Sequence, residues 1–398
     1  MSSQGPHSSE RHIARILVVA GEASSDLHCA SLLEELKHLC PGLSFVGIGG
    51  ENMRAQGVEL IAHARELGVV GLSEVLKKSA RIVSAYRQAS RLLRSGQIAA
   101  TLFVDYPEFN LKLAACARKC GIPVIYYISP QVWAWRPGRI RKIARLVNKM
   151  LVLFSFEQRL YEEVGLNVEF VGHPLLDTVK PSIDRDTFIR GLGLDPAKQL
   201  IVLLPGSRTS EIENLLPTFL EASRLASAAV HWEAPQTVLA LAETIDRDSV
   251  AGVLALYPGV MVVQGQTYNA LNASDVALVA SGTATLETAI LGVPMIVGYK
   301  VALATYLLAK LLIRVDRVAL PNIIAGKEIV PELIQKDLKP DKMAKKLVAL
   351  LQDTDSQTRQ KGELHKITEL LGEKGASKRA AAAVCRFFDS VFATPAPE

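Results

Sequence analysis

Four stretches of this chain carry residue types that could do chemistry on a charged, hydroxyl-bearing substrate. Asp105 closes the apolar run Thr101–Val104 and opens Asp105-Tyr106-Pro107-Glu108-Phe109-Asn110. Ligands of open α/β sheets bind beyond the carboxyl ends of strands. A carboxylate there is a candidate general base for a hydroxyl, and equally an N-cap for a helix from Phe109. Gly206-Ser207-Arg208 follows another apolar run, and its arginine could stabilise charge on a departing diphosphate or pair with Glu211 or Glu213. Ser281-Gly282-Thr283-Ala284 leads into Thr285-Leu286-Glu287 after the run Val276–Val279. Small residues at a strand-to-helix turn let the backbone approach a diphosphate, whose charge meets the free N–H groups and positive dipole end of the helix. Glu287, about one turn in, could accept both hydroxyls of a ribose; the plain alternative is an ordinary helix cap with Glu287 solvated. The fourth stretch, Gly21-Glu22-Ala23-Ser24-Ser25-Asp26, offers Glu22, Ser24 and Asp26 in the turn after the first strand.

Other features point less sharply. Gly47-Ile48-Gly49-Gly50 lacks the spacing of a dinucleotide fingerprint and reads as a tight turn. His28 and His173 stand alone, more in keeping with structure than catalysis, and His173-Pro174 fits a hinge. Trp133 and Trp135 beside Arg136 read either as a core corner or as a surface for an acceptor carrying phosphate and acyl groups. The segment Lys77–Arg94 contains no acid. Its Ile82, Ala85, Tyr86, Ala89, Leu92 and Leu93 fall on one helical arc, opposite Arg87, Arg91, Arg94 and Lys77. A half-buried surface helix accounts for that pattern, and a membrane-contacting helix accounts better for the missing acids.

These residues need a frame. Runs rich in Val, Ile and Leu recur at Ile16–Ala20, Phe45–Ile48, Thr101–Val104, Val124–Ile128 and Met150–Phe154. They recur again at Leu200–Leu204, Thr237–Ala242, Val260–Val263, Val276–Ala280 and Pro294–Val297, with helical patterns between. Such runs suit strands buried on both faces of a parallel sheet, and the alternation is the doubly wound α/β pattern. The pattern starts twice, so the fold class is α/β: two Rossmann-like domains facing a central cleft, followed by C-terminal helices. The expected division is a loose tail over 1–14, a first domain over 15–172, a linker over 173–186, a second domain over 187–338 and a helical tail over 339–398. That tail could pack on the first domain or on a second copy, as a homodimer.

Composition narrows the function. A hydrophobic fraction of 49% with 21% charge excludes disorder as the main state. Fifteen Lys/Arg against four acids between Glu66 and Met150 give that segment +11 in a chain of net +5, which implies an anionic partner. No standard nucleic-acid module is legible, so nucleic acid is not expected. The longest apolar stretch, Val301–Ile313, is too short to span a bilayer and holds Lys310. Five scattered cysteines complete no metal site and read as free thiols of a reduced, cytoplasmic protein.

Gly21–Asp26, Val70–Leu76, Asp105–Asn110, Ser129–Arg136, Gly172-His173, Leu204–Arg208, Ser281–Glu287 and Leu320-Pro321-Asn322 together resemble the lipid A disaccharide synthase family, in the family's order along nearly the whole chain. Its members are inverting glycosyltransferases of the two-Rossmann, GT-B architecture. The resemblance implies transfer of 2,3-diacylglucosamine from its UDP donor to the 6-hydroxyl of 2,3-diacylglucosamine 1-phosphate, giving a β-1,6 disaccharide and UDP. It implies Asp105 as base, and Arg208, Ser281, Gly282, Thr283, Ala284, Glu287 and Asn322 at the UDP site. It also implies no metal, no cofactor, and a peripheral place on the cytoplasmic face of the inner membrane. Two positions depart from the family: Ser25 and Cys29 stand where glycines are usual. The rival readings are a sugar-nucleotide 2-epimerase, another GT-B transferase on a lipid carrier, and a catalytically silent nucleotide- or lipid-binding protein.

Overall fold

The computed structural model describes residues 14–67, 72–130, 137–230, 233–301 and 317–392. The chain forms two compact units. One runs to Pro174 and resumes at Gly372; the other is Leu175–Leu371. Each is a parallel sheet wound with helices.

In the first unit the described strands are β1 (Ala14–Ala20), β2 (Leu43–Gly49), β3 (Glu59–His63), β4 (Ala100–Val104), β5 (Val124–Tyr127), β6 (Lys149–Val152) and β7 (Val168–Phe170). Their order is β3-β2-β1-β4-β5-β6-β7, so the winding reverses between β1 and β4. The last five residues of β1 and all of β4 and β5 are buried, because helices cover both faces. The helices used below are α1 (Ala23–Leu39), α2 (Glu51–Ala55), α3 (Leu72–Arg94) and α4 (Pro107–Lys119).

The second unit holds β8 (Leu200–Leu204), β9 (Gln236–Leu241), β10 (Val260–Gln264), β11 (Val276–Ala280), β12 (Met295–Tyr299) and β13 (Glu332–Ile334), in the order β10-β9-β8-β11-β12-β13. Here the reversal lies between β8 and β11. Its helices include α5 (Thr209–Ala229), α6 (Thr267–Ala273), α7 (Thr283–Ile290), α8 (Leu320–Ala325), α9 (Pro340–Gln352) and α10 (Thr354–Leu370). Apolar residues of α5 and α9 fill one face of this sheet, and those of α6, α7 and α10 the other.

The C-terminal helices do not behave as one tail. Met343 and Leu347 of α9 lie in the core with Phe219 of α5, and Gln360 of α10 exchanges hydrogen bonds with the backbone of Met295. Only α11 (Ala376–Phe392) returns to the first unit, where Arg379 donates to the Val171 carbonyl and Arg386 pairs with Glu169 at 2.6 Å. The stretch 173–186 is no free linker either: it contains a helical turn, Leu175–Thr178, and the Ser182 N–H donates to Asn269 at 2.7 Å.

Two expectations are corrected. The five cysteines are not all free thiols: Cys40, at the end of α1, is bonded to Cys385 of α11, while Cys29, Cys116 and Cys120 remain free. A separation of 345 residues hides this pair from the sequence, and packing of α11 on α1 creates it. The apolar arc of α3 does not face a membrane. Ala85, Ala89 and Leu93 are buried in the first core, with Ile82, Tyr86 and Leu92 packed against it, so the same surface cannot insert elsewhere. Arg87, Arg91 and Arg94 of the basic arc stay in solvent. No helix among the described residues is long and apolar enough to cross a membrane.

Candidate active site

The carboxyl edge of the first sheet concentrates backbone strain. Asp105 and Tyr106 sit at φ 49° and 48°, and Ile128 at the end of β5 has φ 66°; among the described residues only Gln335 shares positive φ without being glycine. Each such residue costs on the order of 1–3 kcal/mol and persists only where its surroundings over-determine it. They do so here. The Asp105 N–H donates to the Tyr127 carbonyl, while the Asp105 carbonyl accepts from the Tyr126 hydroxyl at 2.6 Å and Asn110 Nδ2 at 2.7 Å. Pro107, with φ preset for a helix, then starts α4. The Tyr106 ring lies over Gly21, where a β-carbon would come within 2.3 Å of it, so only glycine fits the turn after β1.

Asp105 is half-buried. Burial first, then the neighbouring carboxylate of Glu22, push its pKa from 3.8 up to about 6, against a hydrogen bond from the Tyr106 backbone. A carboxylate poised near neutrality and set in a turn is suited to general-base work. Glu22 and Ser24 are exposed at the same edge. Ser25, one of the departures from the family pattern, closes a reciprocal cap at the start of α1: its hydroxyl donates to the Glu22 carbonyl and accepts the Glu22 N–H.

Asp26, in the same turn, spends its carboxylate on the backbone of α2. It is 3% exposed, and its carboxylate accepts the N–H groups of Gly50, Asn52 and Met53 at 2.6, 3.2 and 3.1 Å, so it caps α2. Gly50 carries no side chain because the Asp26 carboxylate occupies that space. His28 and His173 are buried near each other. Burial lowers His28 to about 4, and burial plus His28 lower His173 to about 3, so both stay neutral at pH 7. The ring of His173 rests 5.6 Å from that of Phe154.

In the second unit the candidate loops leave β8 and β11, the two strands flanking the reversal. After β8, Glu211 reaches back from the first turn of α5. Its Oε2 accepts the N–H groups of Ser207 (2.9 Å) and Arg208 (3.3 Å), and its Oε1 accepts Arg208 Nη1 at 2.8 Å. Any side chain at Gly206, which sits at φ 119°, would strike that carboxylate. The ion pair with Glu211 is thus one of the two roles open to Arg208, whose side chain remains 54% exposed. After β11, Ser281 is tied on both sides, its N–H to the Gly298 carbonyl and its hydroxyl to the Val318 carbonyl. Gly282 at φ 143° turns the chain into α7, so Thr283 and Ala284 present their amides in its first turn. Glu287 is half-buried, which raises its pKa, and it accepts the Tyr268 hydroxyl at 3.1 Å.

Asn322 bonds within the fold. It is fully buried, its Nδ2 donating to the Val330 carbonyl and Glu332, its Oδ1 accepting the Ile329 and Val330 N–H groups. The hydrogen-bonding capacity of its side chain is spent on β13 and the loop that leads into it. Trp133, Trp135 and Arg136 lie outside the described residues. Arg87, Arg91 and Arg94 are exposed along α3. Among the described residues no group of three or more His, Cys, Asp or Glu could hold a metal. Tyr126, Asn110 and Tyr268 have no chemical task legible in the sequence, whereas Glu211 is there one of two candidate partners of Arg208. Asn110 lay within a motif already singled out; Tyr126 and Tyr268 carried no signal apart from their elements.

The profile of the lipid-A-disaccharide synthetase family matches residues 16–386. A lipid-A-disaccharide synthase of Syntrophus aciditrophicus is 45% identical over 369 residues, covering 92% of this chain and 96% of that one. One from Anaeromyxobacter dehalogenans is 44% identical over 375 residues, covering 94% and 97%. Among solved structures, the UDP-GlcNAc 2-epimerase of Neisseria meningitidis bound to UDP-GlcNAc superposes with a TM-score of 0.60 at 12% identity, covering 94% of this chain and all of that one. The S. aureus MnaA–UDP structure gives 0.62 at 12% (97% and 99%), and Acinetobacter baumannii MurG 0.58 at 13% (94% and 99%). At such identities these structures share the fold alone, the paired Rossmann-like domains of GT-B enzymes.

Proposed function

Because the chain belongs to the lipid-A-disaccharide synthetase family, and is therefore a glycosyltransferase of lipid A disaccharide synthesis, we propose that it transfers 2,3-diacylglucosamine from its UDP donor to the 6-hydroxyl of 2,3-diacylglucosamine 1-phosphate, with Asp105 as the base. The observation that carries this reading is the Asp105 carboxylate, near neutrality in its pKa and set at the reversal of the first sheet.

In the proposed step Asp105 takes the proton of the 6-hydroxyl as that oxygen bonds to the anomeric carbon. The bond from that carbon to the diphosphate breaks, and UDP leaves with the electron pair, so the anomeric centre inverts. Negative charge grows on the diphosphate, to be met by Arg208 and the amides of Thr283 and Ala284 at the positive end of α7. Arg208 must first leave Glu211. An exposed ion pair of this kind is worth about 0–1 kcal/mol, little beside two charge-assisted bonds to a diphosphate. Glu287 takes the ribose hydroxyls, with Tyr268 holding its carboxylate in place.

The exposed Arg87, Arg91 and Arg94 support a peripheral place at the anionic cytoplasmic face of the inner membrane, by charge alone. A homodimer through the C-terminal helices would use their outer faces, where Leu370, Val391 and Phe392 are exposed. The test is UDP release measured with each acylated sugar alone and with both. Release that needs both, with a disaccharide 1-phosphate as product, supports the proposal; release from the donor alone overturns it.

A further inference from the structure

We infer that Tyr126 and Asn110 are positioning residues for Asp105, gripping its carbonyl oxygen from two sides and so holding the turn that sets its carboxylate. This rests on the reading of Asp105 as the base. Tyr126 belongs to β5, the neighbour of β4, and is entirely buried, its ring 6.5 Å from Phe103. A phenylalanine would fill that place equally well. The hydroxyl is what reaches past the strand end to the Asp105 carbonyl, at 2.6 Å.

Asn110 is costlier still. Its Nδ2 faces three carbonyl oxygens, of Asp105 at 2.7 Å, Val104 at 3.3 Å and Val19 at 3.4 Å, which fixes the orientation of the amide. Its Oδ1 is then buried with no hydrogen-bond partner among the described residues. A buried acceptor left so keeps the full penalty of its lost hydration. An amide is therefore a poor choice for this core position unless its NH₂ group is needed where it points, at the ends of β1 and β4.

What the two donors hold is the strained part of the chain. Asp105 and Tyr106 are consecutive left-handed residues without the freedom of glycine. The direction of the Asp105 β-carbon follows from its own φ and ψ. Without the grip the peptide can rotate towards the extended region, and the carboxylate moves with it. A displacement on the order of 1 Å between base and nucleophile can lower a rate by about 10²-fold.

The test uses the full chain with UDP-2,3-diacylglucosamine and 2,3-diacylglucosamine 1-phosphate. Tyr126→Phe and Asn110→Ser are compared with Asp105→Asn for kcat, both KM values, the pH–rate profile and the melting temperature. Tyr126→Phe is expected to lower kcat by about 10–100-fold and leave donor KM within about twofold. The acid limb of its profile should move below the wild-type position, because a released carboxylate is better hydrated. Should Tyr126→Phe fail to fold, Asn110→Ser carries the same expectation. Wild-type kcat and an unmoved acid limb in a folded variant overturn the inference, whatever the melting temperature does. Retained turnover in Asp105→Asn would instead overturn the base assignment, and the positioning role with it.

Discussion

Replacing Asp105 with Asn should remove activity and at the same time stabilise the fold. The carboxyl group titrates near 3.8 in an unfolded chain and at about 6 in the folded one, because burial and Glu22 oppose its charge. Between those values the folded state holds the proton and the unfolded state does not. Folding stability therefore falls as pH rises through this window and stays low above it. At about 1.4 kcal/mol per pH unit, the ionised carboxylate costs the native state about 2–3 kcal/mol at pH 7. Asparagine keeps the shape and has no charge to bury. The grip of Tyr126 and Asn110 is on the backbone carbonyl, so the turn should survive the substitution. Asp105→Asn should thus melt several degrees above wild type at pH 7.5 and level with it near pH 3.5, while turnover falls by about 10²–10⁴. Melting curves at both pH values, with initial rates of UDP release, make the measurement. Near-normal turnover would remove Asp105 from the chemistry. Equal melting temperatures at pH 7.5 would refute the claim that its charge is held against the fold.

The donor half makes a paired prediction: Arg208→Ala should lower kcat more than it raises donor KM, since diphosphate charge grows towards the transition state, whereas Glu287→Ala should act on KM, and steady-state kinetics of both separate the two. Asp26→Ala should lower the melting temperature, by the loss of four charge-assisted bonds, three from backbone N–H groups and one from Asn52 Nδ2, worth about 1.5–3 kcal/mol each before relaxation, while the folded fraction keeps its kcat; a folded variant with depressed kcat would place Asp26 in the active site. Changing Arg87, Arg91 and Arg94 to Gln should weaken binding to anionic vesicles by up to about 3 kcal/mol at low salt, with the difference closing as salt rises. Leu93→Ser should instead lower the melting temperature and leave vesicle binding intact, because Leu93 is in the core; co-sedimentation and melting curves distinguish the two.

The central strands were legible because burial on both faces forces an unbroken apolar run, as in Leu200–Leu204, whatever the rest of the chain does. Three of the four edge strands, β3, β7 and β13, were not, since a half-covered strand needs no such run, although the edge strand β10 happens to carry one. The same logic divides the site. Asp105, Gly206 and Gly282 were visible because strand-to-helix turns have local signatures: a carboxylate or a glycine directly after the run. Residue type could not say which way each polar group would spend its hydrogen bonds. Asp26 turns to backbone amides more than twenty residues away, and Asn322 turns to the loop beside it. The arc of α3 has the same periodicity whether it meets a core or a bilayer, because both are apolar, and only the position of the sheet beneath it decides between them. Tyr126 reads as one more buried strand residue until β4 lies beside β5 and its hydroxyl meets the Asp105 carbonyl. Patterns within a few residues report which elements form. Partners distant in the chain meet only when those elements pack, so what a buried polar group does is decided by the tertiary structure.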